Sequence, residues 1–436
     1  MTVVGIDDTD ARTGGCTTHV ATRLAARLAS DATVERRLLV RCNPAVEHKT
    51  RGNASVAVHT DAAPERALVA ARETVEALAA DGADTGVVVA PGPPTDAPDR
   101  VAAFAARAVD AIHDPGGAAR VAADAGYRTA TWGVGRGLVG ALAAVGAWAA
   151  FDDWTVERIA YRERERWGTE RAVDPEAVFA ASADAYPGAW DTVDRGAGEV
   201  LCAPRTPCPV LFGVRGDDPA AVADLAARLR ETAVDEPVAA IATFLTNQGT
   251  DGHLRAGQVG EVLDGRSYRV EGIVAAPPAT RRGGHVFVPL RASGGASGAA
   301  DPGDDTATDA ALECAAFEPT KRFRDHVRAL APGDRVTVCG EVTDGTLKLE
   351  KFAVRDLIRT ERIVPACPDC DRSMESAGAD AGYRCRDCGT SAPGRVSVPR
   401  ERDLEVGWYE VPPRARRHLA RPLVRGGFDA PVHVER

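Results

Sequence analysis

The sequence predicts a multidomain α+β protein whose C-terminal part contains a zinc ribbon. The chain has 436 residues, which suffices for about three or four domains. Helix and strand patterns alternate in the first part of the chain, and short β signals separated by Gly and Asp fill residues 257–355. Two Cys-x-x-Cys pairs then follow.

Residues 1–150 predict an α/β or α+β domain. TVVGI at 2–6 reads as a short buried strand that leads into an acidic loop, and further strands are expected at 38–42, 54–59 and 86–90. A helix should follow the acidic loop, because apolar residues recur there every four positions and suitable capping residues stand near its start: Val20, Leu24 and Leu28, with Thr17 and Thr18. The loops of such a domain carry its polar chemistry.

The middle of the chain predicts two smaller domains. Residues 151–250 alternate strands and helices in a way that suits a ferredoxin-like layer of helices on an antiparallel sheet. Residues 251–360 contain SYRVEGIV, HVFVPL, RVTVCGEV and GTLKLEKFAV, which favour a five-stranded OB-type β-barrel. Residues 291–311 are Gly, Ala, Ser and Asp without periodicity, and we interpret them as a flexible surface insertion.

The strongest local signal is a zinc site in residues 361–395. Its ligands are two cysteine pairs separated by fourteen residues: Cys367 and Cys370, then Cys385 and Cys388. The alternative is disulfides or idle thiols, which the two-residue spacing disfavours because of disulfide geometry. With four protein ligands and no open position, the zinc should be structural.

Charge is unevenly spread along the chain. The net charge of -10 would ordinarily argue against a nucleic-acid partner, but residues 351–436 carry 16 Lys+Arg against 13 Asp+Glu. Basic residues are almost all arginine while Asp and Ala are abundant, a composition typical of a salt-adapted organism. We expect residues 396–436 to form a basic C-terminal tail that binds RNA or, alternatively, a merely solvated tail.

The sequence also bears on location. No stretch reaches the roughly 18 apolar residues of a membrane span, and the N-terminus lacks the basic start of a signal peptide. The six cysteines outside the ribbon follow no paired pattern, as expected in a reducing compartment. A cytoplasmic protein without a membrane partner is predicted.

The N-terminal loops contain the parts of a phosphoryl-transfer site. Carboxylates that suit Mg²⁺, glycines that let a backbone approach phosphate, hydroxyls and cations occur together: Asp7, Asp8 and Asp10; Gly14 and Gly15; Thr17 and Thr18; Lys49 and Arg51; Gly135, Arg136 and Gly137. Each of these features alone is weak evidence for a phosphoryl-transfer site. An acidic loop in a salt-adapted protein is often a solvated turn, and GVGRGLVG matches neither a Walker A motif nor a full GxGxxG.

The whole chain resembles the archaeal isoleucine-tRNA agmatinylcytidine synthetases. The matching segments run from end to end: GIDDTD, GGCTT, NPAVEHKTRGNA, GVGRGLVGALAAVG, IAYRERERWGTER, CPVLFGVRG, TNQGTDGHL, CAAFEPTKRFR, GTLKLEKFAV, the ribbon and WYEVPPRARRHLARPL. The resemblance implies a kinase-like N-terminal domain, then the ferredoxin-like, OB and zinc-ribbon domains. The chain departs from the family pattern at Ala11, Gly15 and His48, where serine, methionine and an aromatic residue are common.

The resemblance also implies the activity. ATP would phosphorylate the C2 carbonyl of the wobble cytidine in the CAU anticodon of an isoleucine tRNA, and agmatine would displace the phosphate, so that the tRNA reads AUA codons. The acidic loop would hold Mg²⁺ and the triphosphate. Thr17 is the better match to the family's autophosphorylated threonine, with Thr18 as the alternative. No protein partner is implied.

RNA contacts are expected from the barrel and the tail, through aromatic and basic side chains. The candidates are Phe317, Lys321, Arg322, Arg324, Arg414, Arg416 and Arg417, and a solvated basic face is the competing interpretation. The sequence is also compatible with two other functions. A non-enzymatic RNA-binding protein would not need the acidic loop, and a small-molecule kinase would not need the barrel, ribbon and basic tail.

Overall fold

A computed structural model describes residues 1–47, 49–50, 52–293, 311–378 and 381–436. His48, Arg51 and residues 294–310 of the predicted insertion lie outside the described residues. Within them, no helix has both the length and the apolar character needed to cross a membrane.

The N-terminal part is a sheet covered by helices on both faces. Its elements are β1 (Thr2–Asp7), α1 (Thr17–Leu28), β2 (Val34–Arg41), β3 (Ala54–Thr60), α2 (Pro64–Leu78), β4 (Gly86–Pro91), α3 (Asp99–Ala108), α4 (Pro115–Asp124), β5 (Arg128–Thr131) and α5 (Leu138–Ala150). One core packs α1 and α2 against the sheet, and another packs α3, α4 and α5 against its other face. Burial from both sides explains why the central strands read as continuous apolar runs.

The second part continues the same sheet. Its elements are β6 (Thr155–Arg162), α6 (Pro175–Ala185), β7 (Ala189–Trp190), β8 (Val193–Asp194), β9 (Glu199–Val200), β10 (Val210–Gly216), α7 (Pro219–Arg228) and β11 (Val238–Thr246). The strand order is β5-β4-β1-β3-β2-β11-β6-β10-β7, and the two parts join where β11 pairs in parallel with β2, Leu245 opposite Leu38. The two parts therefore repeat one arrangement of four strands, which is β4-β1-β3-β2 in the first part and β11-β6-β10-β7 in the second.

The third part closes into a barrel-like sheet. Its elements are β12 (Leu254–Gly257), β13 (Ser267–Val274), β14 (Ala279–Thr280), β15 (Val286–Arg291), β16 (Ala311–Ala316), α8 (Phe323–Arg328), β17 (Arg335–Thr343) and β18 (Thr346–Asp356). The pairings run β13-β15-β16-β18-β17 and return to β13. Closure leaves no free edge around this ring and encloses the core around Phe323 and Phe352.

The last part holds the ribbon and a segment that returns to the barrel. Its elements are β19 (Thr360–Ile363), β20 (Glu375–Ser376), β21 (Tyr383–Arg384), β22 (Ser391–Ala392), β23 (Val396–Pro399), β24 (Gly407–Glu410) and β25 (Val432–His433). β24 pairs with β18, and β25 pairs with β24. Trp408 on β24 is buried, so residues 407–436 form part of the packed structure and are not a freely solvated tail.

Candidate functional site

A cleft of about 490 Å³ opens between the two halves of the long sheet, where β1 ends. The residues that line it include many of those that the sequence singled out: Asp7, Asp8, Asp10, Thr17, Thr18, Lys49, Arg136 and Gly137. Gly14, Gly15 and Gly135 are not among the described lining residues and belong to the adjoining loops. Separate segments of the N-terminal part therefore meet at one site.

The acidic loop crowds three carboxylates together. Burial, followed by the charges of Asp8 and Asp10, raises the pKa of Asp7 well above its usual range. The pKa of Asp8 is raised to about 6 by burial and by Asp10 and Asp84, against the opposing effect of Arg136. Its backbone is left-handed (φ 54°), and the Thr85 hydroxyl donates to its carbonyl at 2.8 Å. Such a set of hard oxygen donors is suited to a divalent cation such as Mg²⁺.

Glycines bring α5 against this loop. A Cβ at Gly140 would lie 1.9 Å from Asp7 Oδ2, and one at Gly137 would lie 2.5 Å from the Asp7 carbonyl oxygen. The GVGRGLVG segment therefore serves packing as well as any phosphate contact, because only glycine lets the start of α5 come so close. The position of the Asp7 carboxylate depends on that contact.

Thr17 and Thr18 occupy the first turn of α1. The sequence predicts that they cap this helix. That prediction is wrong, since Cys16 is the N-cap and its side chain makes no capping hydrogen bond. The Thr9 hydroxyl instead donates to Thr17 Oγ1 at 3.1 Å, and Thr18 Oγ1 lies 3.0 Å from Cys16 Sγ. Burial raises the pKa of the Cys16 thiol, which favours its role as a small packed group over that of a nucleophile.

Two cations of the predicted site have defined partners. Arg136 Nη2 lies 2.9 Å from Asp84 Oδ2, and no sequence motif marks Asp84. Lys49 Nζ donates to the Val46 carbonyl at 2.9 Å and also to that of Pro44. Burial lowers the pKa of Lys49. Both side chains reach the cleft from loops rather than from helices or strands.

A second polar cluster lines the cleft, and the sequence alone did not reveal it. It consists of Arg41, Glu157, Arg215 and His418. Gln248 connects two of these residues, accepting from Arg215 at 3.1 Å and donating to Glu157. No motif marks these residues, because they come from β2, β6, β10 and the C-terminal segment.

The candidate RNA-binding residues fall into two groups. Arg322, Arg416 and Arg417 are held in ion pairs: Arg322 with Asp194 (3.2 Å) and Glu435, Arg416 with Asp191 and Glu410 (2.9 Å), and Arg417 with Glu341. The Arg416 side chain is 3% exposed, so it would reach RNA only if this network opened.

In the second group the paired carboxylates are more exposed than in the first, Glu318 at 39% and Glu199 at 20%. Lys321 pairs with Glu318, the Arg324 guanidinium donates to the Gly284 carbonyl, and Arg414 is exposed and lies 3.2 Å from Glu199. The half-buried Phe317 ring stands 5.0 Å from the His285 ring. The ion pairs of these residues are at the surface and therefore weak.

The four ribbon cysteines converge. Their sulfur atoms all lie within 4.8 Å of one another, and those of Cys367 and Cys388 are 3.4 Å apart. Each pair sits in a tight turn, with the Asp371 amide donating to Cys367 O at 2.8 Å and the Gly389 amide to Cys385 O at 3.0 Å. Four thiolates about 2.3 Å from a tetrahedral zinc require this spacing, so the donor set fits the metal.

Comparison with known proteins gives a consistent result over the whole chain. Family models of the TiaS TCKD domain, the TiaS FLD domain and the TiaS C-terminal zinc ribbon domain match residues 3–133, 135–253 and 364–404. The isoleucine-tRNA 2-agmatinylcytidine synthetase TiaS of Haloquadratum walsbyi is 48% identical, with 100% of each chain covered. That of Methanosarcina mazei is 42% identical over 97% of each chain.

Solved structures of TiaS proteins also match this chain over its whole length. A complex of TiaS with its isoleucine tRNA and ATP superposes with a TM-score of 0.86 at 35% identity, covering 100% of this chain and 99% of that one. A complex of TiaS with the same tRNA, AMPCPP and agmatine has a TM-score of 0.83 at 34% identity, with the same coverage.

Proposed function

We infer the activity of this chain from the family to which it belongs, the TiaS isoleucine-tRNA 2-agmatinylcytidine synthetases. It is an ATP-dependent ligase that joins agmatine to a cytidine of an isoleucine tRNA. We assign the reaction to the cleft beside the acidic loop. The observation that carries this assignment is the convergence of Asp7, Asp8, Asp10, Thr17 and Arg136 on that one cleft.

The chemistry explains why ATP is needed. The C2 carbonyl of the wobble cytidine is a poor electrophile, and its oxygen is a poor leaving group until it carries a phosphoryl group. The agmatine amine then forms a bond to C2, the C2–O bond breaks, and phosphate departs. The cytidine must leave the anticodon stack to enter the cleft, at a cost of a few kcal/mol that is smaller in a single-stranded loop.

The residues of the cleft divide this work. Asp7, Asp8 and Asp10 would hold Mg²⁺, which neutralises phosphate charge when bound. Lys49 and Arg136 pair with the triphosphate, and the loops at Gly14, Gly15, Gly135 and Gly137 let the backbone approach it. The same role is proposed for Arg51, which lies outside the described residues. Thr17 takes the phosphoryl group during autophosphorylation, with Thr18 as the alternative acceptor.

Strand order supports the finer domain assignments. We propose a kinase-like domain over residues 1–150, a ferredoxin-like domain over 151–250, an OB fold over 251–360, a zinc ribbon over 361–395 and a basic C-terminal segment over 396–436. The order β11-β6-β10-β7 corresponds to strands 4-1-3-2 of a ferredoxin-like sheet. The five-stranded ring with α8 between its third and fourth strands favours the OB fold.

The tRNA would lie along the barrel, the ribbon and the accessible basic residues. Phe317 and the three cations that pair with more exposed carboxylates, Lys321, Arg324 and Arg414, are the first candidates, whereas contacts from Arg322, Arg416 and Arg417 require ion pairs with buried carboxylates to exchange. A tRNA substrate also favours a cytoplasmic location.

Mass spectrometry of the wobble nucleoside tests the function. The full-length protein is incubated with ATP, labelled agmatine and an isoleucine tRNA that carries either the CAU anticodon or a different one. We expect label in the wobble cytidine of the CAU tRNA only, and only when ATP is present. Agmatine-independent turnover of ATP without RNA would point to a small-molecule kinase instead.

A further inference from the structure

The C-terminal segment reaches the cleft through a backbone contact with the second part of the fold. The Gly249 amide donates to the carbonyl of His418 at 2.7 Å, and the Asp251 amide donates to that of Leu419 at 2.9 Å. The same loop holds β2, because Asn247 accepts from the Arg41 amide at 2.8 Å and donates to the Arg41 carbonyl at 3.0 Å. Residues 247–251 therefore fix His418 and Arg41 relative to one another.

The ring of His418 has a defined hydrogen-bonding state. Its Nδ1 lies 2.8 Å from Arg215 Nη1, and a guanidinium only donates, so Nδ1 is the acceptor. The positive charges of Arg41 and Arg215 lower the pKa of His418 well below its usual range. The ring is therefore neutral at physiological pH, with its single proton on Nε2, and it is exposed to the cleft.

Gly52 makes room for this arrangement. A Cβ there would lie 2.9 Å from His418 Nε2 and Cδ2 and 2.3 Å from Arg41 Nη1. Arg41 Nε is buried and has no hydrogen-bond partner among the described residues. Donors from three distant segments, Arg41, Arg215 and His418, thus converge on one side of the cleft.

We propose that His418 is a substrate-binding residue, whose Nε2–H donates to an oxygen of the substrate in the cleft, and that the C-terminal segment thereby completes the active site. This inference rests on the proposed placement of the reaction in the cleft. The acceptor is an oxygen of the ATP phosphates or of the target nucleotide. Protonated agmatine is excluded as the partner, because its ammonium and guanidinium groups only donate.

The test uses full-length protein with His418→Phe, His418→Gln and Gly52→Ala. Phenylalanine keeps the ring volume and removes the donor, whereas glutamine keeps a donor. We expect kcat/KM to fall at least tenfold in His418→Phe and Gly52→Ala, and to stay within a few-fold in His418→Gln, with unchanged melting temperatures. His433→Phe is the matched control, since His433 lies in the same segment but stacks on Tyr409 at 4.3 Å.

Separate KM values identify the acceptor. A rise for ATP or for tRNA supports the proposal and distinguishes its two oxygen sources, while a rise confined to agmatine overturns it. Equal losses in His418→Phe and His418→Gln, or losses that follow the melting temperature, also overturn it. Asp8→Asn is measured in parallel. If it is inactive while His418→Phe is fully active, only this inference fails, and if both variants are fully active, the placement of the reaction in the cleft fails as well.

Discussion

Gly140→Ala offers a test of the active site that leaves every polar side chain in place. Alanine at an interior helix position normally stabilises by about 0.5–1 kcal/mol relative to glycine. Here the new Cβ would stand 1.9 Å from Asp7 Oδ2, whereas ordinary contact begins at 3.4 Å. The Asp7 carboxylate or the start of α5 must therefore move by about 1.5 Å, because a close-packed site has no space to absorb the methyl group.

The expected loss of activity follows from that displacement. A misplacement of about 1 Å costs on the order of 10²-fold in rate, which corresponds to about 2.7 kcal/mol of transition-state stabilisation. We therefore expect kcat/KM for ATP-dependent agmatine incorporation to fall at least about 10²-fold. Affinity for the isoleucine tRNA, measured by filter binding, should be unchanged, since the barrel and ribbon lie elsewhere in the fold.

Gly116→Ala serves as the matched control. Gly116 lies in the first turn of α4 on the surface, and its added Cβ would meet only the Asp114 and Arg120 side chains, at 3.0 and 3.6 Å. This variant should keep full activity. Normal activity of Gly140→Ala at a wild-type melting temperature would refute the reasoning, because it would mean that the Asp7 position is not critical for the reaction.

Three further predictions concern the phosphate acceptor, the metal and the pH dependence of stability. Thr17→Ala should abolish incorporation of phosphate into the protein from γ-labelled ATP, whereas Thr18→Ala should retain it; phosphopeptide mapping that places the label on Thr18 would reverse the assignment. Cys385→Ser should lower the zinc content below about one ion per chain and weaken tRNA binding while sparing ATP binding, and metal analysis that finds no zinc in the unaltered, chelator-free protein would contradict the ribbon site. His59 is fully buried, and its ring nitrogens have no hydrogen-bond partner within the described residues. Burial, with the charge of Arg36 as a second cause, lowers the pKa of His59 to about 4. Since the unfolded chain binds this proton near pH 6.5 and the folded one only near 4, the free energy of unfolding should be constant above that window and fall by up to about 3 kcal/mol as pH drops through it. His59→Leu should remove this part of the slope in denaturant titrations at several pH values, and an unchanged slope would rule out His59 as its source.

The sequence by itself determined the features whose chemistry is local. The four ribbon cysteines are close in the chain, so their spacing alone predicts the cluster that the structure shows. The strand at residues 2–6, the acidic loop and the helix from Thr17 likewise follow from a few consecutive residues, and the structure places them as expected. The predicted barrel was also correct in its coarse form, because its strands alternate apolar and polar residues.

Only the tertiary structure decided how distant segments meet. The parallel pairing of β2 with β11 joins residues about 200 positions apart, and no periodicity in either strand reports it. Arg41, Glu157, Arg215 and His418 share a cleft through that pairing and through the docking of the C-terminal segment. The same docking buries Arg416, which the sequence predicts to be an RNA contact. The sequence shows that this side chain is positively charged, but it does not show which carboxylates the fold brings beside it.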